Sequence, residues 1–345
     1  MSPSAVEAGL PRAGTQDGLD RIVAFGGRAL GSPLKLFVRT PPGGASAAST
    51  VAPELAWTVV QAEFAAVDAA LSRFRSDSEL VSLNRLAGSG ETALVSWRLR
   101  TMLAAVHRAA RLTGGRFDAS VVDALERMGE HGAVNDGPVV SPSEGAGRVA
   151  LVDPGTARAS LVRIPGRPVD SGGIGKGLAL RWAAAAAIAA VPDGFGLLVD
   201  AGGDIASAGV APEGGWRIGV EDPFGPTDGP SMPLAVCALF DGGVSTSSVA
   251  VRNWTSPDGR RVHHIVDPVT RAPARTGLVA VSVAGPDPAW NEVWSKALFL
   301  GGRESIGEEA RRRGLAAWWV DDRGRLGMTP EARARSPWVD EARVG

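Results

Sequence analysis

Residues 169–209 read VDSGGIGKGLALRWAAAAAIAAVPDGFGLLVDAGGDIASAG. A glycine-rich loop feeds an alanine-rich helix, and two β-like runs follow, GFGLLVDA and GDIASAG. The first run stops at Gly202-Gly203-Asp204 and the chain continues extended, which breaks the strand–helix alternation of a βαβ repeat. Further β-like runs lie downstream: WRIGVED, PLAVCALF, VHHIVDP and LVAVSVAG. Helical spacing returns at about 289–301 and 304–314, and a hairpin (AAWWVDD, then GRLGM) closes the pattern. Upstream, residues 21–40 hold two short apolar runs around a Gly-rich turn, and 41–52 read as a flexible loop. Leu55, Val59, Phe64, Val67 and Leu71 share one face of a helix at 53–75. A second helix spans about 95–112, and a shorter one follows Asp118 as N-cap. RVALVD and ASLVRI flank PGTAR as a hairpin, and 129–147 read as a surface loop. The expected class is α+β, with mixed sheets and packed helices. The expected organisation is a tail at 1–20, a single domain over 21–335 and a C-terminal tail at 336–345.

Composition narrows the function. The 345 residues balance 36 Lys+Arg against 37 Asp+Glu, for a net charge of −1. Nucleic-acid binding and membrane-surface binding both need a basic excess, so neither is expected as the main partnership. No run of 18 apolar residues exists, so no membrane insertion is expected, and without an apolar leader the expected location is cytoplasmic. The one cysteine, Cys237, excludes an intrachain disulfide framework and a CxxC metal site. Lysine occurs only at 35, 176 and 296, so each survivor of this arginine bias invites attention.

Four segments have the residue types for chemistry. In 169–182, glycines precede a helix whose first N–H groups and dipole favour an anion, and Lys176 adds a full charge. The spacing is neither a Walker A loop nor GxGxxG, and without a ligand the same segment is a tight turn before a core helix. Ser245, Thr246, Ser247 and Ser248 follow a glycine pair, and hydroxyls at a turn suit phosphate as well as solvent. His263 and His264 are neighbours, so on a strand only one faces a site. Glu292 and Lys296 are i, i+4 on a helix, the spacing of an ordinary surface ion pair.

Taken in order, GRALGS, DSELVSLNR, GGRFDASVVDAL, VDSGGIGKG, LLVDAGGDIASAG, WRIGVEDP, GGVSTSS, HHIVDP and NEVWSKALFLGG resemble the ApbE family of flavin transferases, from about residue 22 to 325. The resemblance implies the T-fold-like architecture of that family. It implies FAD as donor, Mg²⁺ as cofactor and an acceptor protein whose Thr or Ser hydroxyl takes FMN as AMP leaves. By the same resemblance Leu30, Gly31 and Ser32 form the family's A-M-G-T turn, and Asn84 ends its S-E-x-x-x-x-N segment near FAD. Asp118 and Ser120 match FAD contacts, Lys176 the lysine of the Gly-rich loop, and the Gly173 carbonyl a Mg²⁺ ligand. Ser245–Ser248 match an S-T-S-G turn with Ser248 in place of Gly, and His264 with Ile265 match the family's H-I-x-D-P, His264 as base. The departure is at the metal, where the family's A-D-A-x-x-T-A is here Asn291–Ala297. Glu292 can still ligate Mg²⁺, but Lys296 stands where the Thr ligand belongs, and two outcomes follow: Mg²⁺ bound more weakly through Glu292, the Gly173 carbonyl and the FAD phosphates, or Lys296 itself supplying the positive charge. The other readings are an FAD-binding relative that has lost transfer, working as a pyrophosphatase or flavin carrier, and a Ser/His/Asp hydrolase that lacks its G-x-S-x-G elbow.

Overall fold

The structure, a computed structural model, describes residues 21–42, 47–130, 150–153, 159–164, 166–226 and 232–345. The expected tail at 1–20, the PGTAR turn and residues 131–147 of the expected loop lie outside them. The elements open with β1 (Arg21–Ala29), β2 (Ser32–Thr40), α1 (Ala47–Leu71), α2 (Glu79–Asn84), β3 (Ala93–Ser96), α3 (Trp97–Leu112) and α4 (Val122–Arg127). Then come β4 (Ala150–Asp153), β5 (Ala159–Arg163), α5 (Gly175–Ala189), β6 (Gly196–Ala201), β7 (Asp204–Gly209), β8 (Trp216–Val220) and β9 (Ala235–Leu239). Next are β10 (Gly242–Ser248), β11 (Asn253–Thr255), β12 (Arg261–His263), β13 (Val266–Asp267), β14 (Ala272–Pro273) and β15 (Leu278–Gly285). The last are α6 (Pro288–Gly301), α7 (Ile306–Arg312), β16 (Ala316–Asp321), β17 (Leu326–Met328), α8 (Pro330–Ala334) and β18 (Trp338–Val339).

The chain divides into two compact units. The first combines the chain up to Phe64 with Lys176–Val251 and Arg275–Gly345; the second combines Ala65–Gly175 with Arg252–Ala274. No change of composition marks these boundaries: one falls inside α1 and another one residue into α5.

In the first unit, eight strands form a sheet in the order β1-β2-β6-β7-β10-β15-β16-β17, with every neighbouring pair antiparallel. One face packs against the three-stranded sheet β18-β9-β8 through Phe37, Leu198, Trp216, Ile218, Trp318 and their neighbours. Helix α6 covers β10 and β15. Strand β6 is buried along its whole length, which explains why GLLVDA reads as a continuous apolar run rather than an alternating one. Phe25 of β1 stacks on Trp57 of α1, with centroids 5.9 Å apart, and this pins the edge hairpin. Residues 336–345, expected as a tail, are part of this unit: Trp338 and Val339 pair with β9, and Arg343 bonds Asp222 and the Gly324 carbonyl. Only two residues supply that strand, too few for a sequence pattern to mark.

In the second unit, β3-β5-β4 form a small antiparallel sheet beside α3, and two hairpins, β11–β12 and β13–β14, pack Val262 and Val266 on Leu125 of α4 and on Met128 at its C-cap. Two expectations shift locally. Helix α1 starts at 47, inside the stretch read as a loop, with Pro53 within the helix instead of at its first turn. Asp118 does not cap α4, which starts at Val122; its Oδ1 accepts from the Ser120 N–H at 2.8 Å and closes a turn two residues on.

Candidate functional site

Strand pairing gathers three of the motifs of the first unit at one end of the large sheet. The β1–β2 hairpin turns at Leu30 (φ 48°) and Gly31 (φ 75°). Both central residues are left-handed, the two-residue turn that suits sheet twist, and Leu30 accepts a conformation that costs a non-glycine residue about 1 kcal/mol or more. The β6–β7 turn is its neighbour: a Cβ on Gly202 would lie 2.8 Å from that of Ser32. Asp200 holds this second turn by accepting from the Gly203 N–H at 2.8 Å.

Asp204, the first residue of β7, connects the turn to what lies around it. Its Oδ1 accepts from the Thr246 N–H at 3.3 Å, and its Oδ2 pairs with Lys176 at the start of α5. Residues 245–248 are strand, not the turn expected for them, and they alternate. Ser245 and Ser247 point at α6 and are buried; Ser245 donates to the Pro288 carbonyl, and Ser247 shares a 2.8 Å hydrogen bond with Ser295. Thr246 lies on the exposed side and meets Ser282 of β15 at 2.8 Å. Ser248 ends the strand without positive φ, so the glycine it replaces is not needed here.

Helices α5 and α6 meet at Gly177. A Cβ there would sit 2.5 Å from the Ala289 Cα and 2.7 Å from the Pro288 carbonyl oxygen, so only glycine allows the approach. The contact places the Gly177 N–H 2.8 Å from Glu292 Oε2, while Glu292 Oε1 lies 3.2 Å from Lys296 Nζ. Lys176, Asp204, Glu292 and Lys296 thus form one cluster of alternating charge. Burial pushes the Glu292 carboxyl above the ordinary carboxylate range; Lys296 opposes that shift, Asp204 adds to it, and Lys176 and the Gly177 N–H oppose it.

In the second unit Asn84 is buried and clamps the chain entering the glycine loop. Its Nδ2 donates to the Val169 carbonyl at 2.8 Å, and its Oδ1 accepts from the Val169 N–H at 3.0 Å. Asp170 donates its N–H to the Ala119 carbonyl at 2.7 Å, which ties the Asp118–Ser120 turn to the same loop. Gly173 lies in the turn that follows. Ser120 is buried and its hydroxyl donates to Asp118. His263 ends β12 and His264 follows at a bend, so strict strand alternation does not reach His264. His263 Nε2 meets the Ala274 carbonyl at 3.1 Å, and burial holds its pKa below the usual histidine value. His264 Nδ1 lies 3.2 Å from the Arg252 carbonyl, and Ile265 beside it is buried. A carbonyl only accepts, so Nδ1 of His264 is the donor in this contact.

Comparison with known proteins matches residues 34–319 to the model of the ApbE family. The chain belongs to the ApbE family. Relatives carrying the name FAD:protein FMN transferase include one from Klebsiella pneumoniae, 28% identical, covering 79% of this chain and 80% of its own length. Another, from Escherichia coli K12, is 26% identical and covers 80% of each chain. The ApbE structure from Thermotoga maritima, 24% identical, superposes with a TM-score of 0.76 over 92% of this chain and all of its own. The α+β ApbE architecture expected from the sequence is therefore the fold of this chain. No helix of the described residues is long and apolar enough to cross a membrane.

The ApbE motifs raise the question of Mg²⁺, and the residues around Glu292 do not fit it. One Glu292 oxygen accepts from Gly177 and the other faces Lys296, while one Asp204 oxygen pairs with Lys176 and the other accepts from Thr246. Among the described residues no three His, Cys, Asp or Glu side chains are placed to share a metal ion. A divalent ion about 4 Å from one ammonium would meet a repulsion of about 8 kcal/mol at an effective dielectric of 20. The lysine has no lone pair to offer in exchange.

Two residues escaped the sequence reading. Asp204 was legible only as the end of a glycine turn, because its partner Lys176 is 28 positions away. Arg271 has φ 57°, a left-handed conformation in a turn where glycine is the expected residue. Its guanidinium donates to the Ser120 carbonyl at 2.9 Å and pairs with Asp123. An arginine at a turn carries no signal of this kind without the backbone angle.

Proposed function

We propose that this ApbE-family chain is an FAD:protein FMN transferase. The observation that carries the reading is the family match over 34–319, with relatives of that name aligned across four fifths of both chains. In the reaction, a Thr or Ser hydroxyl oxygen of an acceptor protein attacks the flavin-side phosphorus of FAD. A new P–O bond joins FMN to the acceptor, the phosphoanhydride P–O bond breaks, and AMP leaves with the bridging oxygen. The hydroxyl proton passes to a base and from there to solvent.

His264 is the base in this account. What supports it is the Nδ1 contact with the Arg252 carbonyl, which leaves the basic lone pair on Nε2. The proposed flavin contacts in the first unit are the Leu30–Gly31–Ser32 turn, Lys176, and Thr246 and Ser248 of β10, with Thr246 offering the exposed hydroxyl, while Ser245 and Ser247 face α6 and hold the strand in place. In the second unit they are Asp118, Ser120 and Ile265, with Asn84 acting by holding Val169. Lys176 and Lys296 supply the charge that steadies the pyrophosphate.

The test is to incubate the protein with FAD and an acceptor domain carrying a flavinylation-type Thr. AMP release together with a fluorescent acceptor band on a denaturing gel is expected. AMP and free FMN without a labelled band would replace transfer by FAD hydrolysis.

A further inference from the structure

The four-charge cluster of the first unit has an inside and an outside. The side chains of Asp204 and Glu292 are 3% and 2% exposed, whereas those of Lys176 and Lys296 are 32% and 19% exposed. Both carboxylates are thus sealed beneath their lysines, and the solvent-facing members of both pairs are cationic. The first turn of α5 does not compete for an incoming anion through Gly177, whose N–H is already donated to Glu292. The cluster also takes two of the three lysines in a chain that otherwise uses arginine. A compact ammonium held by a buried carboxylate serves as a fixed point charge, which is the duty a metal ion discharges at a diphosphate.

We propose that the solvent-facing ammoniums of Lys176 and Lys296, held in place by Asp204 and Glu292, meet the diphosphate of the nucleotide in the place of a metal, so that FAD binds this chain without a divalent ion. The proposal rests on the flavin-transferase reading and names the charge that serves it. It follows from the misfit described above, since a divalent ion reaches Glu292 or Asp204 only by displacing an ammonium that already neutralises it. The carboxylates set where the ammoniums stand, and the ammoniums meet the phosphate oxygens as hydrogen-bonded ion pairs. Such attraction is screened by salt, so affinity falls as ionic strength rises.

The experiment titrates the full-length protein with FAD by flavin fluorescence, once with EDTA and once with millimolar magnesium, and in both conditions ADP, a flavin-free diphosphate probe, is measured by its displacement of bound FAD. The wild type is expected to bind FAD and ADP with affinities that agree within about threefold between the two conditions, a difference well under 1.4 kcal/mol. Lys296→Ala is expected to weaken binding in EDTA by about tenfold or more and to recover with magnesium, because Glu292 is then uncovered. Lys296→Gln, which preserves length and polarity, is the second variant should the alanine protein fold poorly, and the same loss is expected of it. Wild-type binding that needs magnesium overturns the proposal, and so does unchanged affinity in both variants. Absence of FAD binding in both conditions overturns the flavin reading on which the proposal stands.

Discussion

Glu292 and Gly177 are joined by a 2.8 Å hydrogen bond between two helices, and that bond exists because residue 177 has no side chain. The sequence GKG therefore has a packing reason besides any phosphate it faces. Gly177→Ala would place a Cβ against the Ala289 backbone at 2.5 Å, and neither neighbour is a flexible side-chain end. Urea denaturation is expected to show a loss of about 1–3 kcal/mol, the range of overpacked cores, together with weaker FAD binding. A variant as stable as the wild type would show that α5 and α6 part easily.

Asn84 gives both faces of its amide to the Val169 backbone. Asn84→Ala strands a buried carbonyl and a buried N–H, each worth about 1–3 kcal/mol when unsatisfied. The expected outcome is a lower urea midpoint, with a change in flavin affinity no larger than the loop displacement brings. A large loss of affinity at unchanged stability would make Asn84 a direct flavin contact instead.

The two histidines separate by pH. His263 is held neutral by its burial, and its Nε2 donates to the Ala274 carbonyl. Burial lowers its pKa, so the unfolded chain binds a proton first as the pH falls. The stability it contributes is present above the unfolded value of about 6.5 and is lost as pH drops through the lower folded value. His263→Gln is expected to flatten the acid limb of a stability–pH profile while transfer continues. His264→Ala is expected to reduce transfer by about 100-fold or more with FAD still bound, the range of a lost general base. Equal losses of transfer in both variants would remove His264 from its role.

How much of this was legible beforehand depended on distance along the chain. The local patterns read well: β6 and β7, the alanine-rich α5, the β16–β17 hairpin and the i, i+4 pair Glu292–Lys296 all lie where their spacing put them. The motif order carried the family, and with it the fold. What escaped was set by tertiary pairing. Asp204 meets Lys176 only once β7 reaches the start of α5, and Ser245 and Ser247 turn inward because α6 lies over β10. The division into two units was hidden because Arg252–Ala274 returns to residues far upstream. The strand Trp338–Val339 was too short to read against the polar residues around it.

Arg271 offers a test of backbone strain. At φ 57° glycine is at ease, whereas alanine carries the strain of about 1–2 kcal/mol. Both substitutions lose the bond to the Ser120 carbonyl and the pair with Asp123. Arg271→Gly is therefore expected to be more stable than Arg271→Ala by roughly 1 kcal/mol in matched urea melts. Equal stabilities would mean that the turn relaxes when the side chain is removed.

The most direct measurement is the ratio of AMP released to flavin fixed on the acceptor, followed over time with FAD in excess. Intact-mass spectrometry reads the acceptor, and chromatography reads AMP and free FMN from the same samples. The account predicts one AMP for each flavinylated acceptor and no rise in free FMN. AMP released in excess, matched by free FMN, would contradict it and make water the acceptor.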